Sequence, residues 1–303
     1  VKILLTGSSG FVGQFISPKL QEIGEVVHLK SDLTSHKEVE NEVNSIAPDV
    51  VIHLAAKTEV EKSFYEQTVF SSVNYVGTVN LIESCLKLNT IPFFFFSSTM
   101  EVFGWQPISD EVKNHGVPKT PIAFNENTLP NPNAPYAVAK YACEKYLEYA
   151  KRSFGLDYVA LRQTNTYGRL DNNFFVTEQI ISQMLNNKVV HLGYSEPYRN
   201  FLFIDDLVNA WMAVIEHKDK LSGKSLTLGP DLPIKIKDYA DIIAKELSWE
   251  GTIYWDTKPK RAGEIFWLNS DSKVFTDITG WTPKTPLDIG ISKTIEKVKQ
   301  NVI

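Results

Sequence analysis

The sequence is poor in cysteine, methionine and histidine, with two, three and six of them in 303 residues. Cys85 and Cys143 fall far apart in helix-like stretches, without the spacing of metal ligands. Neither a disulfide framework nor a metal site is therefore expected, and two buried free thiols fit a reducing cytoplasm. Excess positive charge is missing too: 31 Lys and Arg stand against 36 Asp and Glu, a net charge of −5. Without a basic field, nucleic acid is not an expected partner. No apolar run approaches the roughly 18–20 residues that span a bilayer, and the apolar start carries neither a charged leader nor a cleavage signal. A soluble cytoplasmic protein with no membrane partner is the expectation. What remains is ordinary globular composition, 43% hydrophobic and 22% charged, which excludes disorder and fits one large or two modest domains.

The first half alternates short β-branched runs with amphipathic stretches. Lys2 to Thr6, Glu25 to Leu29, Asp49 to Leu54 and Ile91 to Phe96 read as strands. Phe11 to Glu22, Ser35 to Ile46 and Val69 to Leu88 read as helices between them. Such a βαβαβαβ order predicts a Rossmann-type α/β fold, a doubly wound parallel sheet. Between Gly104 and Pro135 the period breaks. Pro107, Pro118, Pro121, Pro130, Pro132 and Pro135 all fall there, as expected of a functional loop or lid. Ala137 to Phe154 returns to helix and Tyr158 to Arg162 to strand. Beyond Gly168 the alternation weakens, with helices expected near Glu178–Asn186, Asp205–Glu216, Ile236–Leu247 and Leu287–Lys299. The expected division is a dinucleotide-binding domain over 1–168 and a smaller α/β substrate lobe over 169–303, with some segments of the latter returning to the first domain.

Thr6-Gly7-Ser8-Ser9-Gly10-Phe11-Val12-Gly13 follows the first strand and opens the first helix. Gly7 permits the tight turn, Gly10 the approach of a pyrophosphate to the backbone, and Gly13 close packing of helix on strand. The pyrophosphate then meets the helix N-terminus, where free N–H groups favour an anion. The second strand runs into Lys30-Ser31-Asp32 where an acid usually holds the ribose 2′-hydroxyl. Lys30 and Ser31 suit a 2′-phosphate, which tilts the expectation from NAD towards NADP; in the alternative, Lys30 is solvated and Asp32 meets another part of the adenosine.

Tyr136 and Lys140 are four apart on one helix face, where a lysine cation can draw a phenol towards ionisation. The fourth strand ends Ser97-Ser98-Thr99-Met100-Glu101, a polar cluster at the carboxyl edge where doubly wound sheets bind ligands. With the glycine turn, these residues resemble the extended short-chain dehydrogenase/reductase family, the NAD(P)-dependent nucleotide-sugar epimerases and dehydratases. The likeness extends through Leu54-Ala55-Ala56, Asn74-Tyr75-Val76-Gly77-Thr78-Val79-Asn80, Arg162-Gln163-Thr164-Asn165-Thr166-Tyr167-Gly168, Arg199-Asn200-Phe201 and Arg261-Ala262-Gly263-Glu264.

That resemblance implies a cofactor touched by Ser9, Phe11, Val12, Leu33, Leu54, Ala55, Ala56 and Asn74, besides the glycines and Tyr136 and Lys140. It implies that Thr99 holds the sugar hydroxyl, that Tyr136 removes its proton, and that Lys140 holds the nicotinamide ribose and lowers the Tyr136 pKa. Asn165, Arg199 and Arg261 would meet the diphosphate of a nucleotide-sugar substrate. Thr-x-Glu resembles the 4,6-dehydratases, in which Glu101 removes the proton that a 4-keto group acidifies at carbon 5. Met100 departs from them, since a proton donor usually stands there and methionine has none. The short link after strand two looks more like the NADPH-dependent 4-keto-sugar reductases. A 4,6-dehydratase is the leading expectation, with an epimerase, a reductase or a catalytically silent dinucleotide-binding regulator as alternatives. A homodimer through the helix of the Tyr–Lys pair is also implied, with Tyr146, Leu147 and Tyr149 as a possible apolar face.

Overall fold

The computed structural model describes residues 1–116, 122–169 and 174–301; Pro118 and Pro121 of the expected loop lie outside them. Six parallel strands make the central sheet: β1 (Lys2–Thr6), β2 (Glu25–His28), β3 (Val50–His53), β4 (Phe93–Thr99), β5 (Tyr158–Gln163) and β6 (Lys224–Leu228). Their order is β6-β5-β4-β3-β1-β2. The chain leaves β1 towards β2, then crosses back to lay β3 on the other side of β1. Ligands of doubly wound sheets bind at such a reversal, beyond the carboxyl ends of the strands.

Four consecutive phenylalanines show why the sheet is covered on both faces. Side chains alternate along a strand, so Phe93 and Phe95 join one apolar cluster while Phe94 and Phe96 join another. The first cluster packs the sheet on α1 (Phe11–Gln21) through Ile16 and Leu20 and on helix Ile204–Glu216 through Leu207 and Trp211. The second packs it on α2 (His36–Ile46), α3 (Gly77–Leu86) and α4 (Pro135–Phe154) through Val39, Leu81 and Cys143. Leu147 belongs to this interior and is fully buried, so it offers nothing to an outer face.

The expected single helix from Val69 to Leu88 is composite. Helix Gln67–Phe70 runs into a wide π-helical turn, Ser71–Val76, and only then into α3. The expected loop after Gly104 holds a helix of its own, Pro107–His115, opened by its proline and ended at Gly116, as the residue types favour.

Beyond residue 168, β6 pairs with β5 in the main sheet, and small strand pairs build the opposite wall of the cleft. Asn165–Tyr167 pairs with Phe201–Phe203, and Tyr198–Arg199 with Ile234–Lys235. A third cluster joins Met100, Phe103 and Phe124 to Ile265 and Trp267, which draws the segment after Arg261 over the end of β4. Among the described residues no helix is long and apolar enough to cross a membrane.

Candidate active site

Gly7 adopts φ +72°, and a Cβ there would stand 2.7 Å from the backbone nitrogen of Ala55. At Gly13 it would stand 2.1 Å from the Gly7 carbonyl oxygen. No side chain fits either place, so turn, helix and β3 loop close up as the glycine spacing requires. Helix α1 starts with Gly10 as N-cap, no side-chain capping bond and no acid in its first turn. Its leading N–H groups and dipole thus lie at the cleft wall without a protein anion, which fits a pyrophosphate.

The facing wall, Leu54-Ala55-Ala56, is held by a buried polar relay. Ala55 N–H donates to Thr6 Oγ1 at 3.1 Å, which meets His53 Nδ1 at 2.7 Å; His53 Nε2 meets Thr78 Oγ1 at 2.8 Å. Burial, with the Lys140 charge behind it, lowers the His53 pKa to about 3, so the ring is neutral and can donate on one side and accept on the other. Asn74 lies in the π-helical turn, and its amide clasps the backbone of Lys57 at 2.8 and 2.9 Å. It does not line the cleft; it fixes the loop that does.

The cleft encloses about 1410 Å³ and runs from the glycine turn past Ser97–Glu101 and Tyr136 to Asn165, Arg199 and Arg261. Roughly 300–1,000 Å³ serves one drug-sized ligand, so there is room for two large ones. At its middle, β4 ends in Thr99, whose Oγ1 accepts from Glu101 N–H at 3.2 Å and caps the 3₁₀ turn Met100–Phe103. Glu101 and Met100 both line the cleft, Glu101 partly exposed and Met100 buried. Tyr136 and Lys140 sit on the first two turns of α4, both buried.

Burial raises the Tyr136 pKa; the Thr99 hydroxyl pulls it down, Glu101 pushes it up, and Arg169 pulls it down. Arg169 is thus a cation that acts on the phenol, and the sequence reading missed it. Its guanidinium lies between the rings of Phe11 and Phe175, 4.3 and 3.7 Å from their centroids, and donates to Thr166 O at 2.6 Å. The available signal was a cation directly after Tyr167-Gly168, at the carboxyl edge of the sheet. Lys140, expected to tune Tyr136, donates from Nζ to Ser97 O at 2.7 Å and lies over the Phe96 ring.

Burial lowers the Lys140 pKa from 10.5 to about 8, against the raising influence of Cys143 and Glu144. An unfolded chain holds this proton until about pH 10.5 and the folded chain releases it near 8. Stability from this group therefore rises with pH across that window and is lowest below it. The stability gap between Lys140→Met and wild type is expected to shift against the variant by on the order of 3 kcal/mol between pH 7 and 10.5, as read by urea unfolding at both pH values.

Arg199 and Arg261 meet in the cleft on one carboxylate. Glu264 Oε1 accepts from Arg199 Nη2 at 3.2 Å and Arg261 Nη2 at 3.0 Å, and Oε2 accepts from Arg261 Nε at 3.0 Å. Burial pushes the Glu264 pKa up, but Arg261 and Arg199 bring it below the usual range. Two guanidinium groups on one carboxylate leave a net positive charge and further N–H donors for a diphosphate. Glu101 lies within electrostatic reach of both arginines.

Lys30, Ser31, Asp32 and Leu33, expected at the cofactor, lie past the end of β2 and, like Asn74 and Lys140, are not part of the cleft lining. The Ser31 hydroxyl is taken by Glu42, the Asp32 carboxylate accepts from the N–H and hydroxyl of Thr34, and Leu33 is a core residue.

Residues 3–229 match the NAD dependent epimerase/dehydratase family. The dTDP-D-glucose 4,6-dehydratase of Dictyostelium discoideum is 30% identical over 79% of this chain and 60% of that protein. GDP-L-fucose synthase 1 of Arabidopsis thaliana is 29% identical over 99% of this chain and 94% of that one. The crystal structure of the UDP-glucose 4-epimerase of Thermotoga maritima with UDP-glucose superposes with a TM-score of 0.88, at 26% identity and full coverage of both chains. The glycine turn, the cluster of Thr99, Glu101 and Tyr136 and the paired arginines occur on the matching fold, and the chain belongs to the NAD-dependent epimerase/dehydratase family, the extended short-chain dehydrogenases/reductases, enzymes of nucleotide sugars.

Proposed function

We propose that the protein is a nucleotide-sugar 4,6-dehydratase. The observation that carries this reading is Glu101, a partly exposed carboxylate that lines the cleft with Thr99 and Tyr136. When bound, a nicotinamide dinucleotide would supply the hydride acceptor for sugar carbon 4 and the hydride donor for carbon 6. Thr99 holds the carbon 4 hydroxyl, and Tyr136 removes its proton as the hydride leaves. The resulting 4-keto group acidifies carbon 5, and Glu101 takes that proton as the hydroxyl of carbon 6 departs as water. Glu101 passes that proton to the departing hydroxyl, directly or through a water, since Met100 supplies none, and the proton taken by Tyr136 balances the one that carbon 5 regains as hydride reaches carbon 6. Asn165, Arg199 and Arg261 bind the substrate diphosphate, and Lys140 orients the nicotinamide ribose.

A second reading, epimerase or 4-keto reductase on the same Thr99, Tyr136 and Lys140 core, is favoured by Met100. Residue types at 30 and 31 speak for NADP, and the surroundings of Ser31 speak for NAD. The buried free thiols Cys85 and Cys143 suit a reducing cytoplasm. Val138, Tyr149 and Phe154 are half exposed along α4, in keeping with a homodimer through that helix.

Incubation with nucleotide-diphosphate hexoses is expected to yield a 4-keto-6-deoxy product with no net consumption of cofactor. Glu101→Gln, which keeps the shape and removes the base, is expected to lower turnover by about 10²–10⁴-fold. Full activity of this variant refutes the base assignment, and a stoichiometric demand for NADPH favours the reductase.

A further inference from the structure

The carboxyl end of β2 holds an acid that the strand itself does not supply. Glu42, on α2, reaches back to accept from the backbone N–H groups of Lys30 and Ser31 at 2.9 and 2.8 Å and from the Ser31 hydroxyl at 2.5 Å. Two of these donors are backbone, so the clasp does not depend on the side chains at 30 and 31. Burial raises the Glu42 pKa, but the bonds from Ser31 and Lys30 outweigh it and bring the carboxyl below its usual range. The group is therefore an anion at neutral pH.

Its position gives that charge a consequence. β2 pairs with β1 up to Leu5 and His28, and Leu29 N–H donates to Leu5 O. Lys30 and Ser31 are thus the first residues past the strand beside the glycine turn, where a doubly wound sheet receives the adenosine ribose. A 2′-phosphate needs free donors and no neighbouring anion. Here three donors are engaged by a carboxylate whose charge would oppose the phosphate. A 2′-hydroxyl can instead donate to the remaining lone pair of that carboxylate, on Oε1, which accepts one bond where Oε2 accepts two. Lys30 is exposed, and its charge already faces Glu42.

We propose, on the reading of the glycine turn as a dinucleotide site, that Glu42 selects the cofactor and makes the protein an NAD enzyme. It replaces, from the following helix, the acid missing from the end of β2. The sequence tilt towards NADP followed from residue types at 30 and 31, and the clasp from 11 and 12 residues away reverses it.

The test is direct binding of NADH and NADPH, followed by nucleotide fluorescence, to wild type, Glu42→Gln and Glu42→Ala, with a thermal melt of each. Wild type is expected to prefer NADH by at least about tenfold, the effect of roughly 1.4 kcal/mol. Both variants are expected to narrow that ratio, chiefly by tightening NADPH, with the larger change for Glu42→Ala, which also frees the three donors. Equal affinities in wild type, a preference for NADPH, or an unchanged ratio in both variants overturns the proposal. A lowered melting temperature with an unchanged ratio marks Glu42 as a structural clasp only and overturns it as well. Binding of neither nucleotide by wild type refutes the dinucleotide site itself, and the proposal with it.

Discussion

Tyr136→Phe is expected to lower kcat by about 10²–10⁴-fold, the usual worth of a positioned acid–base group, with dinucleotide affinity and folding little changed. The ring is buried on the first turn of α4, where its apolar surface packs whether or not the hydroxyl is present. The hydroxyl is the group that interacts with Thr99 and feels the Arg169 charge, and the residue lines the cleft. Burial raises the phenol pKa, with Glu101 acting in the same direction, so its ionisation depends on the charges opposed to them. Arg169→Met is accordingly expected to move the acidic limb of the pH–rate profile to higher pH, because it removes the cation that draws the phenol down and the base must be ionised to act. A rate profile for Arg169→Met that coincides with wild type contradicts that assignment.

The largest effect on stability is expected at Glu144. It is fully buried and accepts from Arg162 through Nε at 3.1 Å and Nη2 at 2.7 Å, and from the Ser98 hydroxyl. These bonds tie α4 to β4 and β5 directly behind Thr99. Glu144→Ala leaves a guanidinium buried without its counter-ion, which typically costs about 3–5 kcal/mol. The double variant Glu144→Leu with Arg162→Met replaces the pair by apolar groups and is expected to lose less than Glu144→Ala alone. Urea unfolding of the three proteins checks the order, and a double variant as unstable as the single contradicts it.

Features set by local geometry were legible in the sequence. The spacing of Gly7, Gly10 and Gly13 permits one close turn, and Tyr136 and Lys140 fall on one helix face by helical period alone. Strand positions followed from apolar runs, to within two residues at each end of β1 to β5 except that β4 runs three residues past Phe96 to Thr99. Features set by distant partners were not. Val69 to Leu88 has the period of one helix, yet its wide turn carries Asn74, held by Lys57 from another segment. Glu264 stands in the sequence only as the end of a motif, and its role emerges when Arg199, 65 residues away, is placed beside it. Glu42 shows only the polar face of an amphipathic helix, and its meaning arises when α2 folds back on β2. At Lys30 and Ser31, likewise, residue type says nothing of the donors that Glu42 engages.

The central claim is that Glu101 carries the reaction past oxidation to elimination. A nucleotide-diphosphate hexose labelled with deuterium at carbon 4 tests it most directly, with the product read by mass spectrometry and NMR. The account predicts deuterium at carbon 6 of a 4-keto-6-deoxy sugar, because the hydride taken from carbon 4 is returned there. Deuterium retained at carbon 4 of an intact hexose with inverted configuration would contradict it, and would mark the protein as an epimerase.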